Sequence, residues 1–541
     1  MADFGSRAFA VAGALLLAFT GIAVHADDWP QFRGPTGQGH SAERGVPITW
    51  SESQNVIWKA PVPGRGWSSP SVAGGRVWVT TAITEKGASL RAIAFDVESG
   101  REAQNVEVFH LRSADLTNPK NSHASPTPIV EGDRVYVHFG AEGTAALSTS
   151  GDIIWKTRLP YESQHGNGGS PVLYGDLLIL SCDGSDDAFV VALDKRTGKV
   201  RWKTSRRQPA DQAYSTPLVI RVGERDELVS VGAYRAAAYD PQTGREIWRV
   251  SYADGFSNVP RPVYGHGLVY IATGFQQPSL LAVRADGAGD VTKTHIAWTL
   301  RRGAPLTPSP LLVGDELYLV SDGGIASCLD AKTGEAHWLQ RLGGEYSASP
   351  VFVDGRIYFL SEGGVATVIA PGREFHQLAR SSLDGETLAS MAVSGGSIFI
   401  RTDSHLYRLG VRSGSPVGVN HDLDRLEQWR CRLWLHSRSE GLRSGMGDGR
   451  RRATRHRSSR SEHREAVVSQ ELSTSDRKTD RSLDADRRLR TLARPEAPEV
   501  RRRAGWRPLF PYRVSPVGRR GDLPFDVQAT QRTASICRDP P

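Results

Sequence analysis

The side chains of this 541-residue chain that could do covalent or metal chemistry are few and widely spaced. The cysteines form neither an adjacent pair nor a CxxC motif, so neither thiol chemistry nor a disulfide framework is indicated; they are Cys182, Cys328, Cys431 and Cys537. The acidic segment at residues 183–187 resembles a fragment of a calcium loop, but it lacks the full ligand spacing and the terminal bidentate Glu. A turn between strands explains it, and we predict no metal site and no catalytic residue.

One phrase recurs through the chain: a Pro, an apolar pair, a Gly/Asp turn and then alternating apolar residues. Seven copies begin at prolines and an eighth has Met391 in the same place; the prolines are Pro70, Pro128, Pro171, Pro217, Pro262, Pro310 and Pro350. The intervals of 40 to 58 residues suit four short antiparallel strands per repeat. We therefore predict an all-β fold, an eight-bladed β-propeller over residues 27–410.

A second phrase closes three of the repeats, and in it a Trp follows an Asp by eight positions. The Asp can accept hydrogen bonds from backbone amides two residues on, and the Gly can take the positive φ that the turn needs. The Trp then falls on the outermost strand, where we expect it to be largely buried between neighbouring blades. The three copies contain Asp194, Gly198 and Trp202, then Asp240, Gly244 and Trp248, and finally Asp330, Gly334 and Trp338.

Closure of the ring is predicted to use the N-terminal part of the chain. The eighth repeat ends near Leu409 and has room for about three strands. Residues 55–60 have the pattern of an outer strand, with no blade before them. We expect them to supply the missing strand, because closure removes an edge that would otherwise be open to aggregation.

Loops that enter the innermost strands should open on one face near the axis of a propeller. Six of these loops contribute an aromatic, imidazole or amide side chain: Trp67, His123, Asn167, Tyr214, Asn258 and Tyr346. Such side chains around a funnel suit recognition of carbohydrate, peptide or a protein partner. They are our candidate ligand-binding residues, although they could equally only cap the ends of the blades.

The closing phrase, Ala-x-Asp-x-x-Thr-Gly-x-x-x-Trp, resembles the tryptophan-docking motif of pyrroloquinoline-quinone (PQQ) dehydrogenase propellers. The resemblance covers roughly residues 28–410, and residues 28–34 also resemble the start of secreted PQQ-like repeat proteins of planctomycete-type bacteria. If this chain were an enzyme, its resemblance to the PQQ dehydrogenases would imply two adjacent cysteines over the cofactor, a Ca²⁺ ion held by carboxylate and amide oxygens, and an Asp base. The sequence has no Cys-Cys pair, so we transfer no catalytic residue and expect neither PQQ nor Ca²⁺.

The function expected from these observations is a non-catalytic scaffold of the cell envelope that binds an unknown protein or polysaccharide. A PQQ-dependent oxidoreductase and a propeller similar to an outer-membrane protein assembly factor remain as alternatives. We expect a monomer.

Both ends of the chain differ in character from the repeats. Residues 1–26 have an apolar run and a small-residue cleavage site, which predicts a signal peptide, a periplasmic or secreted location and no transmembrane span after cleavage. Residues 412–541 carry 28 Arg and one Lys against 17 acidic residues, a net +12, so the preceding 411 residues sum to −4 of the total +8. The body thus gives no electrostatic reason to expect nucleic acid. We interpret residues 411–541 as a disordered basic tail or an out-of-frame artefact.

Overall fold

The computed structural model describes residues 28–85, 87–113, 117–206 and 211–411, and these form an eight-bladed β-propeller. The expected signal peptide and all but the first residue of the basic tail lie outside the described residues. Among the described residues, no helix is long and apolar enough to cross a bilayer. The prediction of an all-β, eight-bladed fold is confirmed.

Strand β1 (Val56–Pro61) comes before the first blade, and the strands of each later blade follow one another in the chain. Blades 1 and 2 contain β2 (Ser71–Ala73), β3 (Arg76–Ile83), β4 (Ala88–Asp96), β5 (Glu102–Leu111), β6 (Ile129–Glu131), β7 (Arg134–His138), β8 (Thr144–Ser148) and β9 (Ile153–Thr157), with a 3-10 turn at Gly140–Glu142. Blades 3 and 4 contain β10 (Val172–Tyr174), β11 (Leu177–Asp183), β12 (Ala188–Asp194), β13 (Val200–Ser205), β14 (Leu218–Val222), β15 (Arg225–Gly232), β16 (Arg235–Tyr239) and β17 (Glu246–Ser251). Blades 5 and 6 contain β18 (Val263–Gly265), β19 (Leu268–Ala272), β20 (Leu280–Arg284), β22 (Ile296–Leu300), β23 (Leu311–Val313), β24 (Glu316–Val320), β25 (Ile325–Asp330) and β26 (Ala336–Arg341), and β21 (Gly289–Asp290) adds to blade 4. Blades 7 and 8 contain β27 (Val351–Val353), β28 (Arg356–Leu360), β29 (Val365–Ala370), β30 (His376–Ser382), β31 (Ala392–Ser394), β32 (Ser397–Arg401) and β33 (His405–Leu409).

The ring is closed by the N-terminal strand, as the sequence predicts. Strand β1 pairs antiparallel with β33 from Val56 opposite Leu409 to Pro61 opposite His405, and it forms the outer strand of blade 8. The two ends of the propeller are therefore held together by backbone hydrogen bonds.

The middle strands of each blade are buried on both faces, because each blade packs between two others. Strands β11 and β12 are buried almost throughout, whereas the outer strand β13 is mostly exposed. This burial explains why the sequence of the middle strands reads as continuous apolar runs rather than as strict alternation.

Most tryptophans of the outer strands contact the next blade at its closing turn. Trp202 donates from Nε1 to the carbonyl of Pro241 at 3.1 Å, and its ring lies against Gly244 of blade 4. The carboxylate of Asp240 holds that turn by accepting hydrogen bonds from the backbone N–H groups of residues 242 and 243, and Gly244 has a φ of 71°. The same donation from Nε1 is made by Trp58, Trp155, Trp298 and Trp338 to Val97, Lys195, Ala331 and Gly372.

The expectation that all three motif tryptophans are largely buried between blades needs correction. Trp248 is fully buried, but its Nε1 donates at 2.8 Å to the carboxylate of Glu227 in its own blade. The longer turn of blade 5 places β21 alongside β17, with Gly289 opposite Trp248, so β17 is not the edge of its sheet. The Trp248 ring packs in an apolar cluster that includes Ala285 and Val291. Trp202 and Trp338 remain partly exposed, because their outer strands face solvent.

The segment before β1 crosses from blade to blade at the inner strands. Trp29 bonds the backbone of Val72 in blade 1, and Gly39 accepts from the amide of Phe352 in blade 7 at 2.8 Å. The carbonyl of Pro30 accepts from the amide of Val130 in blade 2. Because residues 28–41 contact inner strands on different sides of the ring, this segment closes one end of the central channel, and we call residues 28–41 the axial plug.

Candidate axial binding site

A cavity of about 250 Å³ lies at the centre of the ring, where the loops that enter the inner strands converge. Its lining consists mainly of hydroxyl, amide and aromatic side chains, together with Lys120 and His165, and among the described residues it contains no carboxylate and no thiol. Phe32 of the axial plug belongs to the lining, so the cavity is a blind funnel that opens on the opposite face. Residues Phe32, Trp67, Tyr214, Val259 and Leu388 supply its larger apolar surfaces.

A ring of hydroxyl groups forms the wall nearest to the axis. Its members occupy the same place in their repeats, directly before the Pro or Met that starts the inner strand, and we call them the hydroxyl ring: Ser69, Thr127, Ser170, Thr216, Ser309, Ser349 and Ser390. Each hydroxyl oxygen accepts the backbone N–H of the corresponding residue one blade earlier, at 2.9 to 3.1 Å. These bonds connect blade to blade around the axis, and they satisfy buried amides that no strand pairing reaches.

In the fifth repeat, Arg261 occupies the position that a Ser or Thr of the hydroxyl ring holds in the other seven repeats, and we call this the eighth position of the ring. An arginine side chain has no acceptor, so it cannot receive the amide of Thr216 as a hydroxyl would. Its Nη1 instead donates to the carbonyl of Phe32 at 2.7 Å, and Arg33 of the axial plug donates to the carbonyl of Pro310 at 2.7 Å. Both arginines are buried, and burial lowers the pKa of each to about 9.

The predicted funnel residues divide into two groups. Trp67 and Tyr214 line the cavity. His123, Asn167, Asn258 and Tyr346 are buried and do not belong to its lining.

The two asparagines face backbone groups rather than the cavity. Asn167 donates from Nδ2 to the carbonyl of Phe139 at 2.8 Å, and Asn258 donates to the carbonyl of Ala272. Both acceptors lie at the ends of second strands, so these amides cap strand ends. Tyr346 packs with Leu342 and other residues of an apolar cluster. These four residues therefore do not line this cavity, because the place of a residue in a loop does not fix the direction of its side chain.

The loop between β5 and β6 reaches across the mouth of the cavity. Lys120 Nζ lies 2.8 Å from a carboxylate oxygen of Glu345, in the loop before β27, and 3.1 Å from one of Glu362, in the loop between β28 and β29. Asn118 and Asn121 of the same loop line the cavity. The loop therefore narrows the opening, and its single lysine is held at the rim by two acids.

The acidic segment at 183–187 has a structural role in its own blade. Asp183 forms a buried ion pair with Arg206, with 2.6 Å between Oδ1 and Nε. Asp187 pairs with Lys203 at 2.8 Å, and Asp186 accepts the amide of Glu162. Within the described ranges, no cluster of His, Cys, Asp and Glu has a geometry suited to a metal ion.

The cavity does not fit PQQ with Ca²⁺ as the quinoprotein enzymes hold them. A hard divalent cation takes oxygen ligands that include carboxylates, and the described residues of the lining offer only amide and hydroxyl oxygens from their side chains. Cys182 and Cys328 are buried in strands of different blades, so they form no adjacent pair. His165 lines the cavity, but across the described residues no hydroxyl of the lining is hydrogen-bonded to it, so no nucleophile–base pair is assembled.

The ring of four-stranded blades, the tryptophan contacts at the closing turns and the blind axial funnel define a PQQ-like β-propeller. The family model PQQ_2, described as outer membrane protein assembly factor BamB, matches residues 41–178, 110–237 and 289–419. The chain belongs to this family.

Individual relatives are distant. An outer membrane protein assembly factor BamB of Francisella salina is 30% identical over 169 residues, which cover 29% of this chain and 29% of the relative. A lanthanide-dependent methanol dehydrogenase of Methylorubrum extorquens is 26% identical over 163 residues, 27% of this chain and 26% of the relative. The chain thus spans under a third of each of these curated relatives. The crystal structure of BamB from Moraxella catarrhalis is similar with a TM-score of 0.48 at 14% identity, covering 65% of this chain and 99% of that one.

Proposed function

We propose that this chain is a non-catalytic scaffold of the cell envelope, which binds a protein partner or a polysaccharide at the open face of its axial funnel. The observation that carries the proposal is the lining of the funnel: mainly hydroxyl, amide and aromatic groups around a blind cavity, with Lys120 and His165 and, among the described residues, without a carboxylate or a thiol. Such a lining supplies hydrogen bonds and apolar contacts, but none of the paired groups that general acid–base or nucleophilic catalysis needs.

Exposed aromatic residues beside the funnel support binding at this face. Phe275, in the loop between β19 and β20, is 54% exposed, and its ring meets that of Phe256 edge-on at 5.7 Å. Phe256 in turn lies 6.2 Å from the ring of Tyr234. An exposed aromatic ring supported by two others is a rigid anchor of the kind that dominates protein interfaces.

Placement in the envelope is supported by the apolar N-terminal run and by the relatives named as outer membrane protein assembly factors. A role in outer-membrane protein assembly is a second candidate, favoured by the family match over more than half of the chain. Removal of the gene should then lower the amounts of folded outer-membrane proteins, measured by heat-modifiable mobility on gels. Unchanged amounts would leave the scaffold proposal standing and remove this more specific role.

The binding face can be mapped by a photo-crosslinking amino acid placed at single exposed positions in cells. We expect a discrete adduct from position 275 and none from Leu339, which is 64% exposed on the outer strand β26. Fractionation of the same cells should place the protein in the periplasm or the medium. Equal labelling at both positions, or a cytoplasmic location, would contradict the proposal.

An activity assay tests the non-catalytic part of the proposal. The purified chain is mixed with PQQ and Ca²⁺, and alcohol oxidation is followed with a dye acceptor. We expect no turnover, because the lining has no carboxylate to hold the cation. Stoichiometric PQQ binding with turnover would establish the oxidoreductase instead.

A further inference from the structure

The hydroxyl ring has a donor capacity that the protein itself does not use. Each of its seven hydroxyls accepts one backbone N–H, and in the described part of the chain none of them donates to a protein acceptor. Their O–H groups therefore remain available on the lining of the cavity. A hydroxyl that already accepts a hydrogen bond is polarised and becomes a better donor.

Buried positive charge lies beside this ring without a counter-charge. Arg33 and Arg261 are each 2% exposed, and among the described residues no carboxylate lies within ion-pairing distance of either. Nε of both, and Nη1 of Arg33, are buried without a hydrogen-bond partner. Arg401, 1% exposed, is likewise unpaired, and it donates to the hydroxyl of Ser68, next to the ring.

This arrangement contrasts with the fourth fully buried arginine of the propeller. Arg206 has Asp183 at 2.6 Å, which supplies its counter-charge within the protein. Removing cations from water without compensation is unfavourable, so unpaired buried arginines imply a counter-ion from outside the chain.

We propose that the floor of the axial cavity is a binding site for one small oxyanion group, a carboxylate or a phosphate, held by the hydroxyl ring and by the field of the buried arginines. Glu345 and Glu362 are bonded to Lys120 of the lining, Glu362 also accepts from the hydroxyl of Ser347, and among the described residues no acid belongs to the lining. The ring offers hydrogen-bond donors from different directions around the axis, which suits an acceptor with two or more oxygens. This inference deepens the proposed binding role of the same cavity.

Calorimetric titration of the purified full-length chain tests the site directly. The probes are sodium acetate, inorganic phosphate and acetamide, at fixed ionic strength. We expect saturable binding of one anion per chain and no saturable binding of acetamide, which has nearly the shape of acetate but no charge. Preference for acetate or for phosphate then identifies which source of the oxyanion the site takes.

Two variants and a matched control locate the binding. Arg261→Ser places at the eighth position the residue type that the other repeats carry, and it should weaken anion binding by about tenfold or more through the lost charge. Arg302→Ser removes the same charge from an exposed position and should leave the affinity within about twofold. If Arg261→Ser does not fold, Ser349→Ala removes one ring donor and should weaken binding about threefold to tenfold.

Three results would overturn the anion site: no saturable binding of either anion, equal binding of acetamide and acetate, or equal weakening by Arg302→Ser and Arg261→Ser. Because the crosslinking experiment reads a partner at Phe275 and not an ion in the cavity, failure of the anion site leaves the scaffold proposal intact. If the crosslink is absent while anion binding is retained, the scaffold proposal fails and the anion site stands.

Discussion

Replacement of Trp202 by Ala should show how strongly one blade is fastened to the next. The ring is partly exposed and packs on Gly244, and its Nε1 donates to the carbonyl of Pro241 at 3.1 Å. A fully buried Trp→Ala change costs about 3–5 kcal/mol. Partial exposure places Trp202→Ala at the lower end of that range, so we expect a loss of about 3 kcal/mol in the free energy of unfolding.

Two companion variants divide this loss into its physical parts. Trp202→Phe keeps a ring but loses the N–H donor, which should cost about 1 kcal/mol. Gly244→Ala would place its Cβ 2.5 Å from the Trp202 ring at a φ of 71°, so it should destabilise through both the clash and the backbone conformation. In the double variant Trp202→Ala/Gly244→Ala the clash is absent. Its loss of unfolding free energy should therefore be smaller than the sum of the losses of the two single variants.

Urea unfolding followed by circular dichroism measures these differences. Leu339→Ala is the control, since its side chain is 64% exposed and its removal should change stability by less than about 0.5 kcal/mol. A change of that small size for Trp202→Ala, or strict additivity in the double variant, would refute the assignment of this contact as an inter-blade fastening.

Deletion of residues 50–64 removes β1 and opens blade 8, so it should lower both the urea midpoint and the slope of unfolding; an unchanged midpoint and slope would contradict closure by this strand. Ser170→Ala leaves the amide of Thr127 without its acceptor and should lower the free energy of unfolding in urea by about 1–3 kcal/mol. Ser257 lines the same cavity outside the hydroxyl ring, so the control variant Ser257→Ala should be nearly neutral in the same measurement. Asp183→Asn leaves the buried Arg206 without its counter-charge and should cost about 3 kcal/mol, and thermal unfolding that matches the unaltered protein would count against this ion pair.

The number of blades and the way they close could be predicted from the sequence because both depend on local pattern. A Pro before an apolar pair marks each inner strand, and residues 55–60 carry an outer-strand pattern with no blade of their own. The turn formed by Asp240 and Gly244 could be predicted for the same reason, since the Asp bonds to amides only two and three residues away.

The direction of side chains at the axis could not be predicted in this way. Asn167 and Asn258 precede inner strands as Trp67 and Tyr214 do, but only the latter two line the cavity. The side-chain amides of the asparagines donate to the carbonyls of Phe139 and Ala272. These acceptors lie at least 14 residues away in the chain, so the hydrogen-bond partners are set by the assembled ring.

By itself, therefore, the sequence determined an eight-bladed PQQ-like propeller, its closing strand and the identity of its turns, because each of these is marked by a pattern within a short segment, even where the paired strands β1 and β33 are far apart in the chain. Only the tertiary structure decided that seven hydroxyls meet around one axis and that Arg33 from the plug lies near Arg261 from the fifth repeat. The Ser or Thr before each Pro is visible in the sequence, and so is Arg261 in its place. What gives them a common site is closure of the ring, which brings Ser69 and Ser390, 321 positions apart, into direct hydrogen bonding.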